Sequence, residues 1–204
     1  MGIPIIQQIR VGAYIMKQKL LGREKYPLVL MLEPLFRCNL ACAGCGKIDY
    51  PKEILDQRLS VDQCIEAAEE CGAPIISIPG GEPLIHKEMP IIVEELIKRK
   101  KFVYLCTNAL LMEKKMEDYK PSPYFTWSVH LDGMSDEHDK SVCQNGVFDR
   151  CVSAIKKAKS LGFRCNINCT IFDNVKEDSL KVFLNYVTNE LKVDGITISP
   201  GFAY

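Results

Sequence analysis

No stretch of this 204-residue sequence approaches the roughly 18 consecutive apolar residues that a membrane span needs. There is no net charge either: the formal value is +0, so a general nucleic-acid-binding surface is not indicated. The N-terminus lacks a continuous apolar core followed by a small-residue cleavage site, so no secretory signal is expected. Position 6 is Ile, where a myristoylation signal starting at Met1-Gly2 wants Ser or Thr, so no lipid anchor is expected there. Internal repeats, low-complexity tracts and linkers are absent, which leaves one domain of ordinary size. What is present fits a globular chain, 47% hydrophobic and 25% charged. Ten cysteines are many for this length. Without a signal peptide they point to a reducing cytoplasm rather than a disulfide scaffold.

Three of those cysteines stand together in Cys38-Asn39-Leu40-Ala41-Cys42-Ala43-Gly44-Cys45, just after the apolar run Leu28 to Leu32. Three thiolates at CxxxCxxC spacing can grip three corners of a 4Fe–4S cluster, whose irons are normally held by four cysteines. A site with three protein ligands leaves one metal position open for a substrate or cofactor. Cys38, Cys42 and Cys45 are therefore the candidate metal ligands. The alternative is a structural zinc ion, but the second CxxC or HxxxH pair that such sites usually use is missing.

Residues 4–22 read as a helix, with Ile5, Ile9, Ala13, Met16 and Leu20 at helical spacing. Through Lys25 this segment carries Arg10, Lys17, Lys19, Arg23 and Lys25 against Glu24 alone. A basic amphipathic helix can lie on an anionic membrane. Packing across one end of the domain is the favoured reading, because short amphipathic helices usually pack on cores. Strands then follow at Leu28–Leu32, Ile75–Ile78, Phe102–Cys106, Phe125–Leu131, Arg164–Ile171 and Ile196–Ser199. Helical stretches fall near 60–71, 88–100, 110–118, 147–161 and 178–191. Ser60 with Gln63 reads as a capping box, and Gly162 as a helix stop. Alternating strands and helices imply an α/β fold with a parallel sheet. Phe125, Trp127, Val129 and Leu131 alternate with Thr126, Ser128, His130 and Asp132. Cys165 to Ile171 and Ile196 to Ser199 alternate in the same way. An apolar face toward helices and a polar face toward a common interior suit a curled sheet with a polar lumen.

CxxxCxxC after a first strand and Gly80-Gly81-Glu82-Pro83 after a second resemble the radical S-adenosylmethionine (SAM) enzymes. Longer stretches resemble one branch, the adenosyl-hopene transferases of hopanoid biosynthesis: Tyr26 to Pro51 (YPLVLMLEPLFRCNLACAGCGKIDYP), Phe102 to Leu111 (FVYLCTNALL) and Val129 to Gly133 (VHLDG). The resemblance implies a partial (β/α)6 barrel, with residues 1–26 as an N-terminal amphipathic helix and 27–204 as the core. Relatives of that branch continue with a last helix and a C-terminal region that this chain, stopping at Tyr204, is expected to lack. The implied cofactors are a 4Fe–4S cluster and SAM. The implied reaction splits SAM reductively and adds the 5′-deoxyadenosyl radical to the terminal alkene of hopene, giving adenosylhopane. Another radical SAM reaction, such as peptide modification or a cofactor-building cyclisation, is the alternative; a non-catalytic metal-binding module is the third. The implied partners are hopene and a one-electron reductant such as a flavodoxin or ferredoxin, in the cytoplasm or at the inner face of the membrane.

The resemblance also assigns residues. Gly80, Gly81 and Glu82 would contact the SAM amino group. Lumen-facing Ser128 and His130, with Asn168, would bond the ribose or the methionine carboxylate; a histidine satisfied within a polar interior is the plainer reading of His130. Thr197 and Ile198 would border the adenine. Many family members place an aromatic residue just before the third cysteine, where this chain has Gly44. Cys106 ends the third strand with Tyr104 and Asn108 on its face, so it points into the lumen. Its thiol is the candidate hydrogen-atom donor to a product radical; the alternative is a small buried hydrophobe. Cys64, Cys71, Cys151, Cys165 and Cys169 read as structural, and Cys143 is unassigned. His86 and His138 read as surface or loop residues, and Asp132-Gly133 as a turn.

Overall fold

The computed structural model describes residues 2–173 and 175–201; Met1 and Tyr204, the outer bounds of the expected domains, lie outside the described residues. In chain order the main elements are α1 (Ile5–Leu20), β1 (Val29–Met31), the single turn α2 (Lys52–Leu55), α3 (Val61–Cys71), β2 (Ile75–Ile78), α4 (Met89–Lys98), β3 (Phe102–Thr107), α5 (Met112–Lys115), β4 (Phe125–His130), α6 (Ser135–Ser141), α7 (Val147–Ser160), β5 (Arg164–Ile171), α8 (Glu177–Asn185) and β6 (Gly195–Pro200). All six strands are parallel and lie in sequence order in one sheet. Sequential βα units of one hand curl that sheet into a half-barrel with helices outside. Among the described residues β6 does not pair with β1, so the barrel is open along that seam.

Register builds the lumen. Cys106 pairs with Ser128, Ser128 with Asn166, and His130 with Asn168, so polar side chains stack in tiers on the inner face. The residues between them, Leu105, Trp127 and Cys165, form the matching outer tier and are fully buried under the helices. Phe125, Trp127, Tyr119 and Phe163 pack ring to ring there. Burying each such side chain is worth roughly 1.5–3 kcal/mol.

The capping box of Ser60 and Gln63 opens α3 as expected, and Gly72 at φ +70° ends it. The expected helix at 110–118 is only one turn of α-helix followed by a 3-10 turn, Met116–Asp118. That expected at 178–191 loosens after Asn185 into a π turn, Tyr186–Glu190. Helix α6 has no apolar period in SDEHDKS and was invisible to that signal; tertiary contacts hold it. Its Asp139 carboxylate accepts from the Gly146 and Phe148 N–H groups, capping α7 in place of the side chain Gly146 lacks. Of the two histidines expected in surface or loop positions, His86 does lie in a loop, before α4, and His138 falls inside α6; both are buried. His86 Nε2 lies 2.9 Å from the Leu59 carbonyl, and its Nδ1 accepts from the Glu88 N–H.

Helix α1 crosses the N-terminal end of the barrel, as expected, but with the opposite face inward. Gln7 accepts from the Tyr104 hydroxyl at 3.0 Å, and the Arg164 guanidinium at the start of β5 donates to the Gly2 carbonyl. Gln7 and Gln18 are each 5% exposed, whereas Ile9 is 65% and Leu20 85% exposed.

Candidate active site

The cysteine loop follows β1 and rises at the C-terminal ends of the strands, where barrels of this kind gather function. Leu35 and Leu40 are buried and anchor it. Gly44 sits at φ +71°, a left-handed conformation that disfavours a bulky side chain there. Cys38, Cys42 and Cys45 line one cavity of ≈ 370 Å³ together with Gly80, Gly81, Cys106, Asn108, His130, Asp132, Asn168, Thr170 and Phe172. The Asn108 amide donates to Asn39 Oδ1 at 2.8 Å and lies 3.8 Å from Cys38 Sγ. Burial pushes the Cys38 thiol up; burial, then the neighbouring sulfurs, push Cys42 up to about 12. Three thiolates crowded in this pocket are costly without a cation and favoured with one, since metal binding deprotonates a thiol outright. Among the described residues no three His, Cys, Asp or Glu groups converge on one point as ligands of a single ion do. Three sulfurs that line one cavity are a donor set an iron–sulfur cluster can take.

The turn after β2 is packed backbone to backbone on the entrance to the cysteine loop. The Gly81 N–H donates to the Leu35 carbonyl and the Glu82 N–H to the Arg37 carbonyl. A Cβ on Gly81 would meet the Arg37 oxygen at 2.1 Å, so glycine is required and both loops would shift without it. Glu82 does not face the cavity. It is completely buried, and its carboxylate accepts from the Leu84 N–H at 3.0 Å, the Thr107 hydroxyl at 2.8 Å and the Asn108 N–H at 2.8 Å. Burial raises its pKa while those three bonds pull it back. Glu82 thus fastens the β3 loop to the glycine turn, and only the backbone of Gly80 and Gly81 is left on the cavity wall.

The opposite wall holds a group that the sequence hid. Asp132 is buried, lies 2.7 Å from His130 Nε2, and accepts from Ser141 Oγ and the Thr170 N–H at 2.8 Å each. Burial works to raise its carboxyl, but His130 and these donors outweigh it and hold it below the usual range. His130 therefore reaches the cavity already partnered. His138 lies behind it, edge-on at 5.6 Å, and burial drives its pKa down to about 4, so it is neutral. Cys106 Sγ sits 3.6 Å from Ser77 Oγ, and burial raises its pKa, which keeps the thiol protonated.

Residues 32–187 match the profile of the radical SAM superfamily. The chain belongs to that superfamily. With membership come the family's cofactors, a 4Fe–4S cluster and SAM, and the three-thiol cavity fits them. Among curated proteins the chain is 26% identical over 156 residues to the GTP 3′,8-cyclase of Clostridium botulinum, covering 73% of this chain and 49% of that one. It is 27% identical over 160 residues to the same enzyme of Campylobacter jejuni, covering 76% and 50%. The chain spans about half the length of these relatives. Among solved structures, Streptococcus suis SuiB bound to S-adenosylmethionine superposes with a TM-score of 0.76 at 20% identity, covering 93% of this chain and 44% of that one. Native anSMEcpe with bound AdoMet superposes at 0.61 and 19% identity, covering 86% and 52%. Both likenesses show the fold.

Against this radical SAM barrel the expected site residues divide. The structure brings Cys38, Cys42, Cys45, Gly80, Gly81, Cys106, His130 and Asn168 to one cavity. Ser128 is buried beside Cys106 and does not line it. Thr197 lies instead in a second hollow with Gly2, Tyr104, Arg164 and Asn166 toward the N-terminal end, and Ile198 is 48% exposed on the outer face. Consecutive strand residues face opposite ways, and β6 reaches the cavity only with its last turn, Pro200 and Gly201. Asp132, Thr170 and Phe172 were missed; each enters the site through its neighbours in space.

Proposed function

We propose that this radical SAM chain directs a 5′-deoxyadenosyl radical onto the terminal alkene of hopene, giving adenosylhopane. When bound, the cluster and SAM supply that radical at the expense of one external electron. The residues do the rest. Cys38, Cys42 and Cys45 would hold three cluster corners. The backbone of Gly80 and Gly81 offers carbonyls to an ammonium. His130, locked by Asp132, and Asn168 present polar groups to a ribose or carboxylate.

One observation carries the reading: Cys106 lines the same cavity as the three cysteines, and burial raises its thiol pKa. Radical addition to an alkene leaves an unpaired electron on the product carbon. Cys106 gives its Sγ hydrogen atom to that carbon and becomes a thiyl radical, which one electron and one proton from an external reductant, of the flavodoxin or ferredoxin kind, restore. The resemblance of the stretches around residues 26–51, 102–111 and 129–133 to adenosyl-hopene transferases supports hopene as the acceptor. A cyclisation or peptide modification is the second reading, favoured by the likeness to GTP 3′,8-cyclases and to SuiB, one structure of which is bound to the precursor peptide SuiA.

Anaerobic incubation with SAM, a reductant and hopene, read by mass spectrometry, separates the two. The expected product is hopene carrying one adenosyl group and one added hydrogen. Release of 5′-deoxyadenosine with no hopene adduct, alongside turnover of GTP or a peptide, would favour the second reading.

A further inference from the structure

Helix α1 is amphipathic in the wrong sense for a helix that only packs on a barrel. Its inward face is polar and pinned: Gln7 to Tyr104, Tyr14 to the Pro27 carbonyl at 2.9 Å, and Gln18 to Arg23 at 3.2 Å. The Gln7–Tyr104 bond across to β3, with the burial of Gln7 and Gln18, fixes the rotation of the helix about its axis. At 100° per residue, Ile5, Ile9, Met16 and Leu20 then fall on the side directly away from the barrel, and all four are exposed. Lys17 and Lys19 flank that stripe on its two sides, with Arg10 beyond Lys17. From Gly2 to Gly22 there is no acidic residue.

We propose that α1 seats this protein on an anionic lipid bilayer, lying in the plane of the interface with the stripe among the acyl chains and the lysines at the headgroups. An apolar stripe bordered by cations is the pattern of interfacial helices, whose binding combines buried apolar area with attraction to anionic lipid. No helix among the described residues is long and apolar enough to cross a membrane, so the contact is peripheral. Charge decides the occupant. A second copy of the chain would bring Lys17 and Lys19 against their own counterparts, whereas anionic headgroups complement them. The helix lies at the end of the barrel opposite the cysteine cavity, so seating leaves the cavity mouth free. This inference stands on α1 alone and is independent of the hopene reading.

Flotation of the cluster-loaded protein with phosphatidylcholine vesicles, with and without phosphatidylglycerol, tests it. The protein is expected to float with the phosphatidylglycerol vesicles, to remain behind with phosphatidylcholine alone, and to be released by salt. Lys17→Gln/Lys19→Gln should weaken binding about thirtyfold, near fivefold for each charge removed. Ile9→Glu/Met16→Glu should abolish it; both positions face solvent, and circular dichroism with cluster absorbance checks that the fold is kept. No flotation by the wild type, or flotation unchanged by the glutamates, overturns the proposal. So does a dimer in sedimentation that the glutamates break while vesicles bind neither form.

Discussion

Cys42→Ala is expected to lose the 4Fe–4S absorption on anaerobic reconstitution and, with it, all release of 5′-deoxyadenosine. The loop offers three sulfurs, and a cluster held by these three would have none to spare. Removing one ligand of a metal site costs on the order of 3 kcal/mol, a hundredfold or more in affinity. The fold should not notice: burial already keeps the Cys42 thiol neutral, and alanine removes only one half-buried sulfur. Thermal unfolding of the metal-free protein is expected to change by less than about 1 kcal/mol. A stable variant without a cluster is therefore the signature of a ligand, and full cluster content in the variant would remove Cys42 from that role.

Cys106→Ala is expected to keep cleaving SAM while the reduced hopene adduct falls roughly a hundredfold, the scale of losing a positioned donor at the reacting atom. Methionine, released once for every SAM cleaved, and adduct are read in the same reaction. The split between them is what a packing defect would not produce, since a disturbed lumen would lower both. Cys106→Ser sharpens the test. It keeps nearly the same volume and a polar neighbour for Ser77 Oγ, 3.6 Å from the sulfur, but an O–H bond is far too strong to yield its hydrogen atom to a carbon radical. Serine is expected to behave like alanine. Wild-type yield of reduced adduct from either variant would refute the hydrogen-donor role.

Much of the fold was written in local signals. The capping box at Ser60 and Gln63 is decided within four residues, and strand alternation sorts Cys106 and His130 from Leu105 and Val129 without any partner strand. The cysteine triad was legible for the same reason: ligand spacing inside one loop is a local property. What failed was global. Periodicity found the apolar stripe of α1, but not which side of the helix meets the barrel; Gln7 and Tyr104, 97 residues apart, settle that. Alternation placed Thr197 and Ile198 on opposite faces, but the height at which β6 meets the cavity depends on the curl of the whole sheet. Glu82 sits in the glycine turn and reads as a ligand for an ammonium, yet two of the three donors it meets, Thr107 and Asn108, come from the end of β3 and the residue after it. Asp132 reads as half of a turn because Ser141 and Thr170, which make it a buried hub, arrive from α6 and β5.

The three-thiol site is tested most directly by electron paramagnetic resonance of the reconstituted, reduced wild-type protein with and without SAM. A 4Fe–4S signal that changes when SAM is added is the predicted result, because a cluster held by three thiolates would leave one iron open to SAM. Protein that holds no such cluster, or one whose signal is indifferent to SAM, would contradict it.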